Sequence, residues 1–334
     1  MTAERFIQLL NAYSSRRIAV CGDFLLDQYL LGTTARVSRE APIVVVDYQE
    51  TVYHPGGAAN AAQNVTALGG AALAVGVLGA DREGDALAAL LRERGVDTNG
   101  LLSLASAATS LKLRIMAGEM NAQKQQVARV DRSHAVRLEH LERAALTDAM
   151  LTASRTCDAL LFADYGLGVL TDDGVRACIE SCRERNVPVV VDSRYRALAF
   201  RGATVATPNE VEAIAALGLE DEAALLDGAA ISTAIRAAGI DNLIVTRGSK
   251  GMVVCSANGE VTTIGIAGDH QATDVTGAGD TVSAVVALSL AAGANLLEAA
   301  RMATFAASVV VMKRGTATAS PSEVRAMIDG TAAP

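Results

Sequence analysis

The feature that most constrains this chain is a glycine-rich turn, Asp274-Val-Thr-Gly-Ala-Gly-Asp280, followed by an apolar run with helical spacing. Gly277, Ala278 and Gly279 are small enough for backbone N–H groups to approach a ligand closely. A glycine turn that opens a helix presents unpaired N–H donors and the positive end of the helix dipole, which suits a phosphate. Asp280 would place a carboxylate beside that anion site, where we favour a general base for a hydroxyl. For this turn alone, a plain helix cap is an equal alternative.

Apolar segments and glycine turns alternate along the chain in a strand–helix rhythm, which predicts an α/β fold. Hydrophobic residues make up 51% of the sequence and aromatic residues only 3%, so the core must consist of Ala, Val, Leu and Ile. The alternation of segments 111–116 and 126–131 predicts two antiparallel strands joined by a turn near 118–121. These strands interrupt the rhythm and predict a small sheet that stands off the main one.

Charge and cysteine content exclude several classes of protein. The net charge of −8 argues against nonspecific nucleic-acid binding, which needs a basic surface. The five cysteines, an odd number without close paired spacing, predict buried reduced thiols rather than disulfides or a metal site. The polar N-terminus argues against a signal peptide, and the lack of an uncharged apolar stretch of about 18 residues argues against a membrane span. We therefore expect a cytoplasmic protein.

Polar residues follow several predicted strands or begin the next helix, at the edge where α/β sheets usually bind ligands. Two glycines before a helix allow close backbone approach, and an amide on its first turn could read sugar hydroxyls. For the aspartate after the first strand, a loop-capping role is equally compatible with the pattern. The candidates for this edge are Asp27, Gly56, Gly57, Asn60, Asp164 and Asp192.

Two further pairs of residues have two possible roles each. Lys112 and Arg114 lie on one side of the predicted strand 111–116. They are either solvated surface cations or, if the small sheet covers the site, residues that clamp a phosphate. Asn209 and Glu212 lie three residues apart on one helix face. They could form a capping pair or contact a hydrated Mg²⁺, and we favour the magnesium role. Thr246 and Gly248 are candidates for the edge of a nucleotide site.

The two glycine signatures, Gly56-Gly57 with Asn60 and the turn 274–280, resemble those of the ribokinase-like carbohydrate kinases. The order of elements between them fits that family, and the similarity covers nearly the whole chain. The resemblance implies a three-layer α/β/α sandwich with a mainly parallel central sheet. It also implies a single kinase domain over 1–334, with a small β-sheet lid from about 24–54 and 109–131. By analogy the lid serves as a homodimer contact.

Shorter matches are most similar to the bacterial heptose-7-phosphate kinases of lipopolysaccharide-core synthesis. They are Arg39-Glu-Ala-Pro42, Lys112-Leu-Arg114, the strand end Asp164-Tyr165 and Thr207-Pro-Asn209. The resemblance implies transfer of the γ-phosphoryl group of ATP to the anomeric hydroxyl of D-glycero-β-D-manno-heptose 7-phosphate. The product would be the 1,7-bisphosphate, on the route to ADP-heptose.

The resemblance also assigns roles to residues. Asp280 is the base, and Gly277, Ala278 and Gly279 form the anion hole. Asp27, Gly56, Gly57 and Asn60 contact the sugar, and Asn209 and Glu212 hold Mg²⁺ through water. Thr246, Gly248 and Gly251 contact the nucleotide, and Thr304 stands where relatives often have Asn near the adenine. Asp274, Thr276, Lys313 and Gly315 match a monovalent-cation site, for example for K⁺.

The chain also departs from that pattern. Leu167 and Arg194 stand where those kinases tend to have Lys, and Arg194 is a replacement cation. Bifunctional members carry a nucleotidyltransferase domain after the kinase, whereas this chain ends at Pro334, so we expect kinase activity only. The alternatives are another sugar kinase of the same fold, such as a fructokinase or ribokinase, and a non-catalytic nucleotide-binding regulator. A dinucleotide-binding oxidoreductase is disfavoured because no Gly-x-Gly-x-x-Gly follows the first strand.

Overall fold

The computed structural model describes residues 2–38, 40, 42–118, 124–268 and 272–331. Arg39 and Ala41 of the Arg39–Pro42 match, and most of the expected turn at 118–121, lie outside the described residues. The helices are α1 Ala3–Ala12, α2 Ala58–Ala67, α3 Arg82–Glu93, α4 His140–Thr156, α5 Asp172–Glu184, α6 Glu210–Leu217, α7 Gly228–Ala238, α8 Ala278–Ala291, α9 Leu296–Val310 and α10 Pro321–Thr331. The strands are β1 Arg17–Gly22, β2 Phe24–Val37, β3 Val44–Gly57, β4 Ala71–Gly79, β5 Asp97–Leu104, β6 Leu111–Gly118, β7 Gln125–Arg132, β8 Ala159–Asp164, β9 Val189–Ser193, β10 Val205–Ala206, β11 Asn242–Thr246, β12 Met252–Ser256 and β13 Val261–Ile264.

Within the described residues, nine strands form the main sheet in the order β13-β12-β11-β10-β9-β8-β1-β4-β5. Strand β1 is the third strand from the β5 edge and pairs in parallel with both β4 and β8. Among the described strands of this sheet, only β12 and β13, at one edge, run antiparallel to their neighbours. The expected mainly parallel central sheet is therefore confirmed.

Helices cover both faces of this sheet. Alternate residues of β1 point to opposite faces, so that Ile18 and Val20 enter one apolar core and Ala19 and Cys21 the other. The first core is packed by α1, α2, α3, α8, α9 and α10, and the second by α4, α5, α6 and α7. This arrangement confirms the three-layer α/β/α sandwich. All five cysteines are buried free thiols, as predicted.

In the described part of the chain, four further strands form a separate sheet in the order β3-β2-β6-β7, which we call the small sheet. The predicted antiparallel pairing of 111–116 with 126–131 is confirmed by β6 and β7. Strand β2 follows β1 after a single residue, and β3 leads directly into α2. The small sheet therefore stands at the carboxyl edge of the main sheet, beside β1 and α2.

Other elements were not predicted from the sequence. Strands β2 and β3 are much longer than the short runs that their composition suggests, because they pair with each other from Phe24–Gly57 to Val37–Val44. Strand β5 contains Gly100, which weakens the strand signal. Helix α7, which follows the N-cap Asp227, was also not predicted.

None of the described helices has the length and apolar character needed to span a bilayer.

Candidate active site

The glycine-rich turn starts helix α8 at the wall of a cavity of about 350 Å³. Gly277 is the N-cap residue with φ of 78°, a conformation that glycine adopts without strain. A Cβ at this position would lie 2.5 Å from the Asn60 amide nitrogen. Residues 280–289 of α8 are buried, which fixes the direction of the helix. Its first N–H groups lack helical partners and can bind an anion, although the Ala278 N–H donates to the Val275 carbonyl at 3.2 Å.

The Asp280 carboxylate lines this cavity but is only 4% exposed. Its Oδ1 accepts a hydrogen bond from the Tyr165 hydroxyl, and its Oδ2 accepts one from the Asn60 amide, each at 2.7 Å. Burial raises the pKa of Asp280 to about 6, and the two hydrogen bonds and the Lys112 charge limit that rise. Asp280 is thus mostly ionised at neutral pH and has the proton affinity of an effective general base.

Asn60 is held in place by a buried polar network. Its side-chain oxygen accepts a hydrogen bond from Gln63 at 2.7 Å, and its backbone carbonyl accepts one from the Asn64 amide at 2.9 Å. Asn64 in turn accepts a hydrogen bond from Thr281 of α8 at 3.0 Å. The network joins α2 to α8 and directs the Asn60 amide at Asp280. Asn60, predicted as a sugar contact, is 0% exposed and does not line the cavity.

The small sheet contributes cations to the cavity. Lys112 lies next to Asp27 on β2 and Asp131 on β7, and Arg114 occupies the corresponding place two residues along. The Arg114 guanidinium lies 3.6 Å from the Asp27 carboxylate. The Lys112 ammonium lies 5.0 Å from the centre of the Tyr165 ring, and burial lowers its pKa. The predicted pair Lys112 and Arg114 therefore faces the cavity rather than solvent.

Asp27 does not line the cavity and lies behind these cations, 2% exposed. Burial raises its pKa, which Arg114 and Lys112 counteract. A Cβ at Gly56 would lie 2.8 Å from the Asp27 carboxylate, so a side chain there would displace it. Gly57 is the N-cap residue of α2 with φ of 58°.

The opposite wall comes from strand ends and from α6. Asp164 lines the cavity and accepts hydrogen bonds from Ser193 and Arg196 at 2.8 Å and from the Gly166 N–H at 3.1 Å. Asp192 lies beside α8, and burial together with the Asp280 and Glu212 charges raises its pKa well above the usual range. The exposed Arg194 also lines the cavity.

Asn209 and Glu212 form the capping pair that was the alternative to a magnesium role. The Asn209 side chain accepts from the Glu212 N–H, and the Glu212 carboxylate accepts from the Asn209 N–H, each at 2.9 Å. Both residues also line the cavity, together with Thr246. The capping bonds occupy one oxygen of Glu212 and leave the other for a ligand.

Of the remaining candidates, Thr276 lines the cavity, whereas Gly248, Gly251, Asp274, Thr304, Lys313 and Gly315 do not. Gly248 and Gly251 bracket the turn after β11 with positive φ. Thr304 is buried and donates to the Ala300 carbonyl at 2.9 Å. Asp274 accepts hydrogen bonds from the Thr276 and Gly315 N–H groups, each at 2.9 Å, and so brings 274–276 next to 313–315. The Lys313 side chain turns away to the Thr318 carbonyl at 2.8 Å.

A larger groove of about 740 Å³ lies between α5 and the segment 196–202. Its wall is formed by residues such as Arg176, Ile179 and Phe200, and it does not include Asp280 or the start of α8. The smaller cavity is therefore the candidate active site.

A family model matches most of the chain. The model described as the pfkB family of carbohydrate kinases covers residues 16–323. The chain belongs to the pfkB family of carbohydrate kinases.

Curated relatives of this pfkB-family chain are bifunctional proteins. The bifunctional protein HldE of Desulfatibacillum aliphaticivorans is 37% identical over 322 residues, which is 96% of this chain and 64% of the relative. The HldE of Azorhizobium caulinodans is 38% identical over 318 residues, which is 95% of this chain and 65% of the relative. The chain thus spans less than two thirds of the length of these relatives.

Solved structures share the fold of the pfkB-family chain. Arabidopsis thaliana ribokinase, complexed with ribose and ATP, has a TM-score of 0.69 at 19% identity and covers 94% of this chain and 98% of its own. Escherichia coli phosphofructokinase-2, in complex with potassium, has a TM-score of 0.75 at 20% identity and covers 94% and 99%. At this identity the likeness concerns the fold.

Arg129 and Tyr165 are among the cavity residues of this pfkB-family site that the sequence reasoning missed. Arg129 lies opposite Arg114 on β7 and lines the cavity, where it is paired with Asp131. The alternation of β7, which was recognised, could have placed it on the same face as Arg114. Tyr165 was noted only as part of a strand end, and no local pattern indicates that its hydroxyl reaches Asp280.

Proposed function

We propose that this chain transfers the γ-phosphoryl group of ATP to the anomeric hydroxyl of D-glycero-β-D-manno-heptose 7-phosphate. The observation that carries the proposal is that Asp280, at the N-terminus of α8, shares one cavity with cations of the small sheet. A base beside a helix N-terminus suits the deprotonation of a hydroxyl as a phosphoryl group arrives. Two findings support the choice of sugar. The chain resembles heptose-7-phosphate kinases, and its curated relatives are the bifunctional HldE proteins, as that resemblance implies.

The cations of the cavity support a substrate that already carries a phosphate. Arg114 is balanced by Asp27 and Arg129 by Asp131. Among the described residues, Lys112 has no carboxylate within ion-pair distance, although it is largely withdrawn from solvent. The nearby carboxylates Asp27 and Asp280 act on this ammonium without contacting it. A partly buried ammonium that lacks a direct ion pair favours contact with a bound anion. An unphosphorylated sugar would not supply that contact.

In the proposed mechanism, Asp280 takes the proton of the sugar hydroxyl while the N–H groups at the start of α8 bind the transferring phosphoryl group. Positioning and charge neutralisation supply most of the acceleration, because this transition state needs little covalent help. ATP would enter as its Mg²⁺ complex. Asn209 and the free oxygen of Glu212 would contact the hydrated ion from the opposite wall.

We also propose the loops 274–276 and 313–315 as a monovalent-cation site. Asp274 already joins the two loops through the Thr276 and Gly315 N–H groups, and each carboxylate oxygen retains a lone pair for an ion. K⁺ bound there would neutralise the carboxylate and stabilise the turn that leads into α8. The potassium complex of the phosphofructokinase-2 neighbour motivates the choice of ion.

One assay tests the substrate. ADP release should be followed with D-glycero-D-manno-heptose 7-phosphate, sedoheptulose 7-phosphate, heptose, fructose and ribose under identical conditions. We expect the heptose 7-phosphate to have the highest kcat/KM. A fructokinase or ribokinase would prefer a plain sugar. If no sugar releases ADP while ATP still binds, a nucleotide-binding regulator would be the better description.

The pH dependence should follow the ionisation of Asp280. The base must be ionised to accept a proton, so kcat/KM should be constant at high pH and fall as the pH drops through about 6. The substrate phosphate titrates in the same range. The carboxyl band in the infrared difference between wild type and Asp280→Asn should therefore be titrated as well. A midpoint near the ordinary value of a free aspartate would contradict the elevated pKa.

We propose that the small sheet mediates a homodimer. The face opposite Lys112 and Arg114 carries Leu113, Ile115 and Val130, and every residue of β7 is exposed. Such an apolar face is typical of a contact between subunits. Light scattering at micromolar concentration should show a dimer, and Val130→Glu should shift it towards monomer. The matched Val211→Glu, on the exposed surface of α6, should not. A monomeric wild type would disprove this contact.

A further inference from the structure

Asp23 is a buried carboxylate to which the mechanism so far gives no role. It lies directly after β1 and is 1% exposed. Its Oδ2 accepts hydrogen bonds from two backbone N–H groups, those of Tyr165 at 2.8 Å and Leu167 at 3.1 Å. Its Oδ1 has no hydrogen-bond partner in the described part of the chain. Burying a carboxylate is costly, so its retention here needs a reason.

The bonds of Asp23 connect it to both hydrogen-bond donors of Asp280. Its side chain binds the turn 165–167, and the hydroxyl of Tyr165 donates to Asp280 Oδ1. Its backbone carbonyl accepts the N–H of Ala58 at 3.0 Å, at the first residue of α2. Asn60, the second donor to Asp280, lies on this first turn of α2.

We propose that Asp23 is a positioning residue whose side chain holds the Tyr165 hydroxyl against the Asp280 carboxylate. The proposal rests on the proposed role of Asp280 as the base. The turn 165–167 is also tied to Asp164 through the Gly166 N–H at 3.1 Å and to the Val136 N–H through the Leu167 carbonyl at 2.6 Å, but only Asp23 binds the backbone N–H of Tyr165 itself in the described part of the chain. Without the Asp23 carboxylate, two partly buried N–H groups would lose their partner, and the turn would rearrange to satisfy them.

The hydrogen bond from Tyr165 matters because of what surrounds Asp280. Besides Tyr165 and Asn60, the charged groups that face it are Lys112, which favours its ionised form, and Asp27 and Asp192, which oppose it. Burial, together with the charges of Asp280, Asp192 and Asp27, raises the pKa of Tyr165 well above its usual range, so its hydroxyl stays protonated as a donor. A donor to an ionised carboxylate stabilises that form, and its loss raises the pKa of the acid.

The proposal is tested by pH profiles of kcat/KM with heptose 7-phosphate. Tyr165→Phe removes the donor and should move the acidic limb upward by about one to two pH units, the equivalent of one hydrogen bond to a charged group. Asp23→Ala should move the limb in the same direction. Asp23→Asn, which keeps an oxygen where Oδ2 lies, should stay within a few tenths of a unit of wild type. In the double variant Tyr165→Phe/Asp23→Ala, the shift should not exceed that of the larger single change, because both act through one hydrogen bond.

The matched control is Tyr13→Phe, which removes another buried hydroxyl, one that is paired with Ser289 in the same helix as Asp280. Its acidic limb should coincide with that of wild type. If Asp23→Ala does not fold, as judged by circular dichroism, Asp23→Ser replaces it, because its hydroxyl is too short to reach both N–H groups.

The outcomes separate this inference from the proposed function. A folded Asp23→Ala with an unshifted limb, or additive shifts in the double variant, overturns the role of Asp23 while Asp280 remains the base. If Asp280→Asn keeps normal turnover, the proposed function fails first. A shift in Tyr13→Phe equal to that in Tyr165→Phe would show a general effect of lost buried hydrogen bonds and would also overturn the inference.

Discussion

Asp280→Asn should lower kcat by about 10²–10⁴-fold or more, since about 10²–10⁴-fold is the usual effect of removing a positioned general base. The substitution removes the proton acceptor and preserves the shape of the side chain. An asparagine can direct its oxygen at the Asn60 amide and its nitrogen at the Tyr165 hydroxyl, which can accept as well as donate. Both neighbouring contacts therefore survive, and the loss should come from the chemical step.

Steady-state kinetics together with calorimetric titration of ATP and sugar phosphate separate chemistry from binding. We expect dissociation constants within a few-fold of wild type, since the cavity keeps its form. The matched control is Asp173→Asn, the same chemical change on the exposed surface of α5, where only a surface ion pair with Arg176 is lost. Near-normal turnover in Asp280→Asn would reject Asp280 as the base.

The sequence predicts the parts of the site whose signals are local. The glycine turn predicts where α8 begins, because the residues that permit the turn and those that form the helix are adjacent. The alternation at 111–116 predicts that Lys112 and Arg114 share a face, which the pairing of β6 with β2 and β7 confirms. In each case the pattern and its consequence lie within a few residues.

What the sequence could not predict are contacts across the fold. The Asn60 amide reaches Asp280 over 220 positions and the Tyr165 hydroxyl over 115, so no local pattern records either bond. The resemblance assigns Asn60 to the sugar, and the structure adds that its amide donates a hydrogen bond to Asp280. The spacing of Asn209 and Glu212 was ambiguous for another reason. The same two side chains can cap α6 and still present oxygens to the cavity, so the pattern cannot separate the two roles.

Lys112→Ala should raise the KM for the sugar phosphate by about 10–100-fold, the equivalent of one lost charge-assisted hydrogen bond. Lys112 lines the cavity on the small sheet and lacks a close carboxylate partner among the described residues. The cost should fall on the phosphorylated substrate, because ATP is expected on the opposite wall, near Asn209 and Thr246. Its charge also favours the ionised form of Asp280, so the comparison should be made near pH 8, where the base stays ionised in both proteins.

The contact with the phosphate can be isolated by testing variants of two lysines against two substrates. Lys124→Ala removes a lysine next to β7 that bonds to Gln49 and does not line the cavity, so its KM values should match wild type. In Lys112→Ala, the KM for ATP should change less than threefold, and turnover of an unphosphorylated heptose should hardly change. Equal weakening of ATP and sugar phosphate would remove Lys112 from the clamp. Equal weakening of phosphorylated and plain heptose would mean that the ammonium binds a hydroxyl, and would favour a kinase for an unphosphorylated sugar.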